Sequence, residues 1–175
     1  MSNILKIYST TDGHTVKICQ RLIQVLEQSG HKATLVSVTA ADGLDLVPFD
    51  KIVIGASIRY GKHSPLVAEF INRNEPVLDS LPNAFFSVNV VARKPEKSQP
   101  STNPYLRKFL KKITWKPKNL AVFAGKIDYP RYNSFDRFMI RLIMWMTKGP
   151  TDPNSVIEFT NWKQVEEFGE VVARM

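Results

Sequence analysis

The sequence lacks the features that define several large classes of protein. Its single cysteine, Cys19, cannot form a disulfide within the chain, and apolar residues follow it at helical spacing, so we expect a buried core thiol. The apolar runs are far shorter than the roughly 18 residues that a membrane-spanning helix needs. The chain enters a strand-like segment at Ile4 instead of a charged and then apolar leader, so we expect a cytoplasmic protein without an export signal.

Metal and nucleotide motifs are also missing. The three histidines are dispersed without ligand spacing, so we expect no metal site. A Rossmann GxGxxG is absent. A P-loop requires GxxxxGK followed by Ser or Thr, whereas Gly55 and Gly61 are separated by five residues and the following Lys precedes His63. The sequence therefore disfavours nucleoside triphosphate chemistry.

The chain does contain a concentration of positive charge. The formal net charge is +8, and residues 93–148 carry fourteen Lys and Arg against three Asp and Glu. That segment is therefore locally +11, and the rest of the chain is net acidic. Such a surface attracts nucleic acid, anionic lipid or an acidic small molecule, and charge alone does not choose among them.

Short β-branched runs alternate with amphipathic patterns, which is typical of helices covering both faces of a parallel sheet. The predicted strands are Ile4–Tyr8, Ala33–Val38, Lys51–Ala56, Phe85–Val91 and Leu120–Ala124, and the predicted helices are 14–29, 64–80, 102–114 and 161–174. Asn161 with Gln164 resembles a capping box at the last helix. The predicted loops are 42–48, 94–104 and an irregular stretch 126–155. We predict one domain over residues 1–175 with a doubly wound α/β fold.

Ligands of such sheets bind beyond the carboxyl ends of the strands, where the winding reverses. The segments that follow predicted strands one, three and four are YSTTDGHT, SIRYGKH and NVVARKP. In the first segment, Gly13 lets the backbone approach a phosphate closely, and the following helix contributes free N–H groups. The available hydroxyls are those of Ser9, Thr10, Thr11 and Thr15. The alternative for this loop alone is an ordinary Ser/Thr helix cap.

The other two segments suit a flat ring. Arg59, Tyr60 and Gly61 would place an aromatic or apolar wall beside it, and the run from Asn89 to Ala92 would close the other side. The alternative for Tyr60 is a partly exposed loop aromatic. Taken together, the three loops favour a site for a flavin phosphate.

These same residues carry a family resemblance. The first loop resembles the flavodoxin phosphate motif (Ser/Thr)-x-Thr-Gly-x-Thr over residues 10–15, with a departure at Asp12, whose carboxylate must turn away from a phosphate, for example to cap the helix. Downstream, VIGASIRYGKH, SVNVVARKPEK, TNPYLRKFL and DYPRYNSFDRFMIRLIMWM are similar to the menaquinone-dependent protoporphyrinogen oxidase family. The similarity covers essentially the whole chain, and that family carries Asp before Gly in the loop.

The resemblance implies a flavodoxin-like five-stranded parallel sheet of order 2-1-3-4-5, with an insert at about 126–155 that splits the last strand and Val156–Phe159 as its resumption. It also implies FMN as cofactor, dehydrogenation of protoporphyrinogen IX to protoporphyrin IX in haem biosynthesis, and electron transfer to a membrane quinone, either menaquinone or ubiquinone. The flavin carries this chemistry, so no catalytic side chain is expected. The implied location is peripheral, on the cytoplasmic face of the inner membrane, and homo-oligomerisation stays open.

The resemblance also assigns residues to two kinds of contact. The cofactor-binding residues are Ser9, Thr10, Thr11, Asp12, Gly13, His14, Thr15, Ser57, Ile58, Arg59, Tyr60, Gly61, Ser87, Asn89, Val90, Val91, Ala92 and Arg93. The substrate or membrane contacts are Lys94, Arg131, Phe135, Arg137, Phe138, Arg141 and Trp145. Arg93, Lys94, Arg131 and Arg137 are the candidates for the propionates of the porphyrinogen or for the flavin.

The segment 133–148 combines apolar and basic residues at helical spacing. Its apolar residues are Phe135, Phe138, Met139, Leu142, Ile143, Trp145 and Met146, and its cations include Arg137, Arg141 and Lys148. A helix of this length is too short to span a bilayer, so we predict that it lies at an anionic membrane surface. The alternatives are a core helix or a dimer face.

Two other functions fit part of this pattern. A flavodoxin-type electron carrier or general FMN quinone reductase would share the three loops, but it would not explain the basic and apolar insert. A nucleic-acid-binding module would explain the charge, yet the strands carry neither the basic residues nor an RNP-type aromatic motif, so we expect no nucleic-acid partner.

Overall fold

The computed structural model describes residues 1–175 as alternating strands and helices. The strands are Asn3–Ser9 (β1), Lys32–Ser37 (β2), Lys51–Arg59 (β3), Lys62–His63 (β4), Asn83–Asn89 (β5), Asn119–Ala124 (β6), Lys126–Asp128 (β7) and Val156–Glu158 (β8). The helices are His14–Gln28 (α1), Pro65–Ser80 (α2), Pro104–Leu110 (α3), Ser134–Met146 (α4) and Trp162–Arg174 (α5). None of these helices has the length and apolar character needed to cross a membrane.

Five parallel strands form the central sheet in the order β2-β1-β3-β5-β6, which confirms the expected doubly wound α/β fold. Alternate residues of each strand face opposite sides, so Leu5 and Ile7 join one apolar cluster with α2 and α3. Ile4 joins the other cluster, with α1 and α5. Cys19 lies in that second cluster, as predicted, and burial raises the pKa of its thiol to about 12.

Local capping explains why one predicted strand ends early and why one predicted helix begins late. Strand β5, predicted to run to Val91, stops at Asn89. The side-chain oxygen of Asn89 accepts the N–H of Ala92 and so starts a 3-10 turn. Helix α3 begins only at Pro104, because Asn103 accepts the N–H of Leu106, and it ends at Leu110. The predicted capping box of α5 is confirmed in part, because Asn161 accepts the N–H of Gln164 but the side chain of Gln164 does not return a bond to the N–H of Asn161.

The insert differs from the sequence expectation in two ways. The stretch 126–155 is not irregular, because Asn133 caps a helix, α4, by accepting the N–H of Asp136 at 2.8 Å. Residues 156–159 also do not resume the central sheet. Val156–Glu158 pairs antiparallel with Lys126–Asp128 in a separate two-stranded ribbon, because the chain turns out of the sheet at Gly125. The N–H of Phe159 donates to the carbonyl of Gly125 at 3.0 Å and closes the base of this ribbon.

His63 is a buried base inside this framework. Its ring packs 4.7 Å from the ring of Phe109 and 6.1 Å from that of Phe85, and Nε2 lies 2.8 Å from the hydroxyl of Ser87. Burial, reinforced by the charge of Lys112, lowers the pKa of His63 from 6.5 to about 4. The imidazole is therefore neutral near pH 7.

His63→Gln should flatten the acid side of the stability profile. Because the folded pKa lies below the unfolded value of 6.5, protonation favours the unfolded chain, and stability is lost as the pH falls from about 6.5 towards 4. A full proton difference is worth about 1.4 kcal/mol per pH unit. Between pH 6.5 and 5, the free energy of unfolding measured in urea should therefore fall more in wild type than in the variant. The difference should be on the order of 1–2 kcal/mol. Equal losses would contradict this role.

Candidate functional site

A cleft opens where strands β1, β3, β5 and β6 end together at one edge of the sheet. Its lining residues are Thr10, Thr11, Asp12, Gly13, His14, Thr15, Lys17, Ser57, Ile58, Val88, Asn89, Val90, Gly125, Lys126, Asp128, Arg131 and Tyr132. The three loops singled out from the sequence therefore meet at one site. The chain after β6 forms a fourth wall, of which the sequence analysis had assigned only Arg131.

The loop after β1 is built around Gly13, which is the N-cap residue of α1. Its φ of 85° lies in the left-handed region that favours glycine, and its N–H donates to the hydroxyl of Thr10 at 2.9 Å. No side chain caps the helix, and no acidic residue lies in its first turn. The free N–H groups and the positive end of the helix dipole thus remain available to an anion.

Two hydroxyls of the cleft lack protein partners. The Oγ1 of Thr15, a fully buried residue, and the Oγ of Ser57 are both enclosed and make no hydrogen bond. A buried hydroxyl without a partner costs free energy, so such groups in a native cleft are expected to bond a ligand. Their positions beside Gly13 and at the end of β3 fit the phosphate and polyol groups of a flavin nucleotide.

Asp12 lines the cleft, and its carboxylate is engaged by a cation instead of capping the helix. Its carboxylate forms an ion pair with Arg59, at the end of β3. The same guanidinium lies 3.4 Å from a carboxylate oxygen of Asp136 in α4, and the hydroxyl of Tyr60 donates to that carboxylate as well. The expected helix cap by Asp12 is therefore wrong, because a cation from the neighbouring loop competes successfully for its charge.

The loop after β3 presents aromatic surface next to this network. Tyr60 adopts a φ of 53°, which is uncommon for a residue with a side chain, and its ring is 40% exposed. The ring lies 6.3 Å from that of Phe135, at the start of α4. On the other side, the guanidinium of Arg59 lies 5.3 Å from the centre of the Tyr132 ring. The loop is thus held against the insert from two directions.

A second, apolar groove continues from the cleft, between this loop, β5 and the insert. Its lining residues are Asp12, Ile58, Arg59, Tyr60, Gly61, Val90, Val91, Tyr105, Lys126, Ile127, Tyr132, Ile140, Ile143 and Met144. We call it the apolar groove. Helix α4 supplies one wall through Ile140, Ile143 and Met144, so the insert completes the site rather than lying apart from it.

His14 lines the cleft, but its ring is bonded on the far side. Nε2 lies 2.6 Å from the hydroxyl of Thr160, and that hydroxyl donates to the carbonyl of Ala124 at 2.7 Å. The imidazole must therefore carry its proton on Nε2. Burial lowers the pKa of His14, despite Glu158 3.8 Å away, so the ring is a neutral support for the first loop.

The basic residues assigned from the resemblance have diverse environments. Arg93 donates to the carbonyls of Val90 and Thr147, each at 3.1 Å, and thereby fastens the insert to the end of β5. Arg137 donates to two insert carbonyls, and Arg141 to a third. The guanidiniums of Arg93 and Arg137 thus support the fold through two bonds each, whereas Arg141 is exposed and bonded only through Nε. Arg131 lines the cleft, whereas Lys94 lines neither cleft nor groove.

Several other residues assigned from the resemblance lie outside the cleft and the apolar groove. They are Ser9, Ser87, Ala92, Phe135, Phe138 and Trp145. Ser87 is buried and bonded to His63 and Asn89. The aromatic residues of α4 instead lie on its exposed face.

Sequence reasoning missed Tyr105 of α3, which lines the groove, and three residues near the start of the insert. Lys126 and Asp128 line the cleft as an ion pair at 3.6 Å, and Tyr132 lies between cleft and groove. Burial raises the pKa of Tyr132, so its phenol is neutral. The available signal was positional, because residues 125–128 directly follow the last strand of a parallel sheet, whose carboxyl ends share one edge.

The fold and site define a class of protein that sequence comparison identifies. Residues 5–154 match the family described as flavodoxin domain, and the chain belongs to that family. Among solved structures, Megasphaera elsdenii flavodoxin superimposes with a TM-score of 0.58 at 12% identity, covering 98% of this chain and 99% of that chain. At such identity the likeness shows the shared fold. Membership of the family indicates a flavin cofactor.

Two relatives are much more similar in sequence. A protein of Escherichia coli strain K12, named protoporphyrinogen IX dehydrogenase (quinone), is 44% identical over 171 residues, covering 98% of this chain and 94% of the relative. A Leishmania major protein of the same name is 40% identical over 172 residues, covering 98% of this chain and 74% of the relative.

Asp136→Asn should loosen the insert from the end of β3, where Arg59 lies. The substitution keeps the side-chain shape but removes the charge that attracts Arg59, in a pair that is largely shielded from solvent. We expect faster amide hydrogen exchange along α4 and a fall of about 1 kcal/mol in the free energy of unfolding. Glu96→Gln, at an exposed carboxylate without an ion pair, is the control. Unchanged exchange in α4 would show that apolar packing alone positions the insert.

Proposed function

We propose that this protein is an FMN-dependent dehydrogenase that oxidises protoporphyrinogen IX to protoporphyrin IX and passes the electrons to a membrane quinone. The two relatives bear the corresponding name, and the resemblance extends over nearly the full chain. The observation that carries the proposal is a flavin-type cleft that continues into an apolar groove, one wall of which is formed by the insert. An electron carrier needs the cleft but has no need of the groove.

The phosphate of FMN fits the loop after β1. The N–H groups at the start of α1 and the hydroxyl of Thr15 would bond the phosphate oxygens, while Ser57 and Asn89 lie farther along the cleft, where the ribityl chain would extend. Thr10 also holds the turn at Gly13. FMN is favoured over a dinucleotide because the loop contains only one glycine and ends directly in the helix.

The flavin ring fits the junction of cleft and groove, between the Tyr60–Gly61 turn and the segment Val90–Val91. Bound FMN would supply the redox chemistry, accepting hydrogen from the porphyrinogen and giving it to the quinone. The chain's own residues bind, orient and exclude water. Ile140 and Ile143 provide an apolar surface against which a macrocycle can pack, and we assign no side chain as an acid or base.

Helix α4 presents an apolar face to solvent beside this site, and we propose that this face docks on an anionic membrane. Phe135, Phe138, Trp145 and Met146 are 64–72% exposed, so the alternative of a core helix is wrong for these residues. Arg131 and Lys148 are exposed near the two ends of the helix. Aromatic rings with flanking cations suit the headgroup region, where a lipid-borne quinone would approach.

The structure changes which residues belong to the docking face. Ile143 lines the apolar groove, and the guanidinium of Arg137 is bonded to insert carbonyls, so neither belongs to the exposed apolar face. Leu142, which the sequence also assigned to this face, is 40% exposed. Arg141 keeps an exposed position although it donates to the carbonyl of Thr151.

The central test is anaerobic turnover of protoporphyrinogen IX, followed by porphyrin fluorescence, with a water-soluble quinone supplied or withheld. The purified protein should be yellow with FMN, and oxidation should require the quinone. A yellow protein that reduces quinones but leaves porphyrinogen unchanged would point to a carrier or quinone reductase. A colourless protein that takes up no FMN would refute the cofactor.

Thr15→Val should change stability and cofactor affinity in opposite directions. Valine has the same shape but lacks the hydroxyl that is buried without a partner, so urea unfolding of the flavin-free protein should show equal or greater stability. FMN should bind about 10-fold more weakly, because a hydrogen bond to a charged phosphate is lost. Thr34→Val, in β2 away from the cleft, is the matched control for FMN titration. Unaltered FMN affinity in Thr15→Val would exclude the hydroxyl from the phosphate site.

Replacing Phe138, Leu142 and Trp145 together by Ser should abolish flotation with anionic liposomes, while FMN content and turnover with a water-soluble quinone persist. These side chains lie on the exposed face of α4, so their loss removes membrane contact without opening the core. The matched control replaces Val47, Leu66 and Val171, which are exposed elsewhere, by Ser. Full flotation of the α4 variant would refute this docking face, whereas dissociation of a dimer would assign it to an oligomer.

A further inference from the structure

A basic pocket lies next to the apolar groove, between β4, α2 and α3. We call it the lysine pocket, because Lys62, Lys108 and Lys112 line it. All three side chains are exposed, and none forms an ion pair with a carboxylate. Glu69 is the one acidic residue in the lining, so the pocket is net positive. Its cations are therefore available to a bound anion.

The pocket and the groove share a boundary made by two residues. Gly61 and Tyr105 line both the groove and the lysine pocket, and the two residues lie next to each other. A Cβ added at Gly61 would meet Cε1 of Tyr105 at 3.3 Å, which shows how closely the ring approaches the backbone turn. A ligand lying in the apolar groove therefore reaches the lysine pocket by passing this single ring.

The other cations that line or support the groove are already engaged, and Arg131, which has no ion pair, lines the cleft and not the groove. Arg59 is paired with two carboxylates, and Arg93 and Arg137 donate to backbone carbonyls. Lys126 lies 3.6 Å from a carboxylate oxygen of Asp128. Using any of these for a ligand would break an existing contact of the fold. The cations of the lysine pocket carry no such cost.

We propose that Lys62, Lys108 and Lys112 bind the propionate carboxylates of the porphyrinogen whose macrocycle lies in the apolar groove. This inference rests on the proposed function. The substrate has an apolar body with its carboxylates on one edge, and the protein places an apolar surface directly beside unpaired cations. Placing the carboxylates there also directs the macrocycle under α4. The lysine pocket is thus a specificity-determining site that selects a diacid.

The test compares protoporphyrinogen IX with its dimethyl ester, which keeps the macrocycle and removes both charges. The variant is Lys108→Gln with Lys112→Gln, and the matched control is Lys111→Gln with Lys116→Gln, which removes the same charge from exposed lysines outside the pocket. The measured quantity is the ratio of the KM for the ester to the KM for the diacid. A second measurement is the affinity of the holoprotein for protoporphyrin IX, from the porphyrin's fluorescence anisotropy at low and high salt.

We expect wild type to favour the diacid. In the pocket variant, the KM for the diacid should rise and protoporphyrin IX should bind about 10-fold more weakly, because two solvent-accessible charged contacts are lost. Its KM ratio should fall towards one and lose its salt dependence. The control should keep the wild-type ratio. FMN content and the urea midpoint of the pocket variant verify that its fold is intact.

Three results would overturn the inference while leaving the proposed function in place. They are a wild type that does not distinguish diacid from ester, a pocket variant that keeps the wild-type ratio, and an equal loss in the pocket variant and the control. The last would assign the preference to the general positive surface of residues 93–148. A wild type that binds FMN but never oxidises protoporphyrinogen would overturn the proposed function, and this inference with it.

Discussion

Arg59 stands between two carboxylates, Asp12 of the first loop and Asp136 of the insert helix, and its guanidinium holds both. Without this cation, a carboxylate beside Gly13 would repel a phosphate, and a second carboxylate would face it across the groove. With it, the two carboxylates share one positive charge, which reduces their repulsion, and the loop, the Tyr60 turn and the insert are fixed to one another. The side chain of Arg59 is only 17% exposed and that of Asp136 26%, so solvent screens this pair less than the pair with Asp12, whose side chain is 45% exposed.

The ion pairs of Arg59 join a polar and an apolar part into one site. On the side of α1, the partnerless hydroxyls of Thr15 and Ser57 and the free helix N–H groups suit a phosphorylated polyol. On the side of α4, Ile140, Ile143 and Met144 provide an apolar surface. A flavin nucleotide has the same two ends, and only its ring must reach the apolar part. The insert, which leaves the sheet after Gly125, therefore supplies what a small electron carrier of this fold does not need.

The distribution of cations shows why charge in a sequence does not assign roles. Arg93 and Arg137 each donate to part-buried backbone carbonyls in or beside the insert. Lysine has a compact charge on a flexible stem and no planar fork, and the uncommitted cations beside the groove are lysines. Within the basic segment 93–148, Arg93 and Arg137 thus hold the insert, whereas the ammonium groups of Lys108 and Lys112 remain open to an anion.

The local patterns of the sequence determined the parallel strands and the first loop, because strand periodicity, a glycine before a helix and clustered hydroxyls act over a few neighbouring residues, whereas the order of the strands came from the family resemblance. The Asn161 cap and the burial of Cys19 followed for the same reason. Only the tertiary structure decided the partner of Asp12, the bonding of His14 to Thr160 and the antiparallel ribbon at 126–128, since each depends on groups far apart in the chain. It also decided that Ile143 faces the groove while Phe138 and Trp145 face solvent, because the rotation of α4 about its own axis is set by Arg59, Arg93 and the packing of Met144.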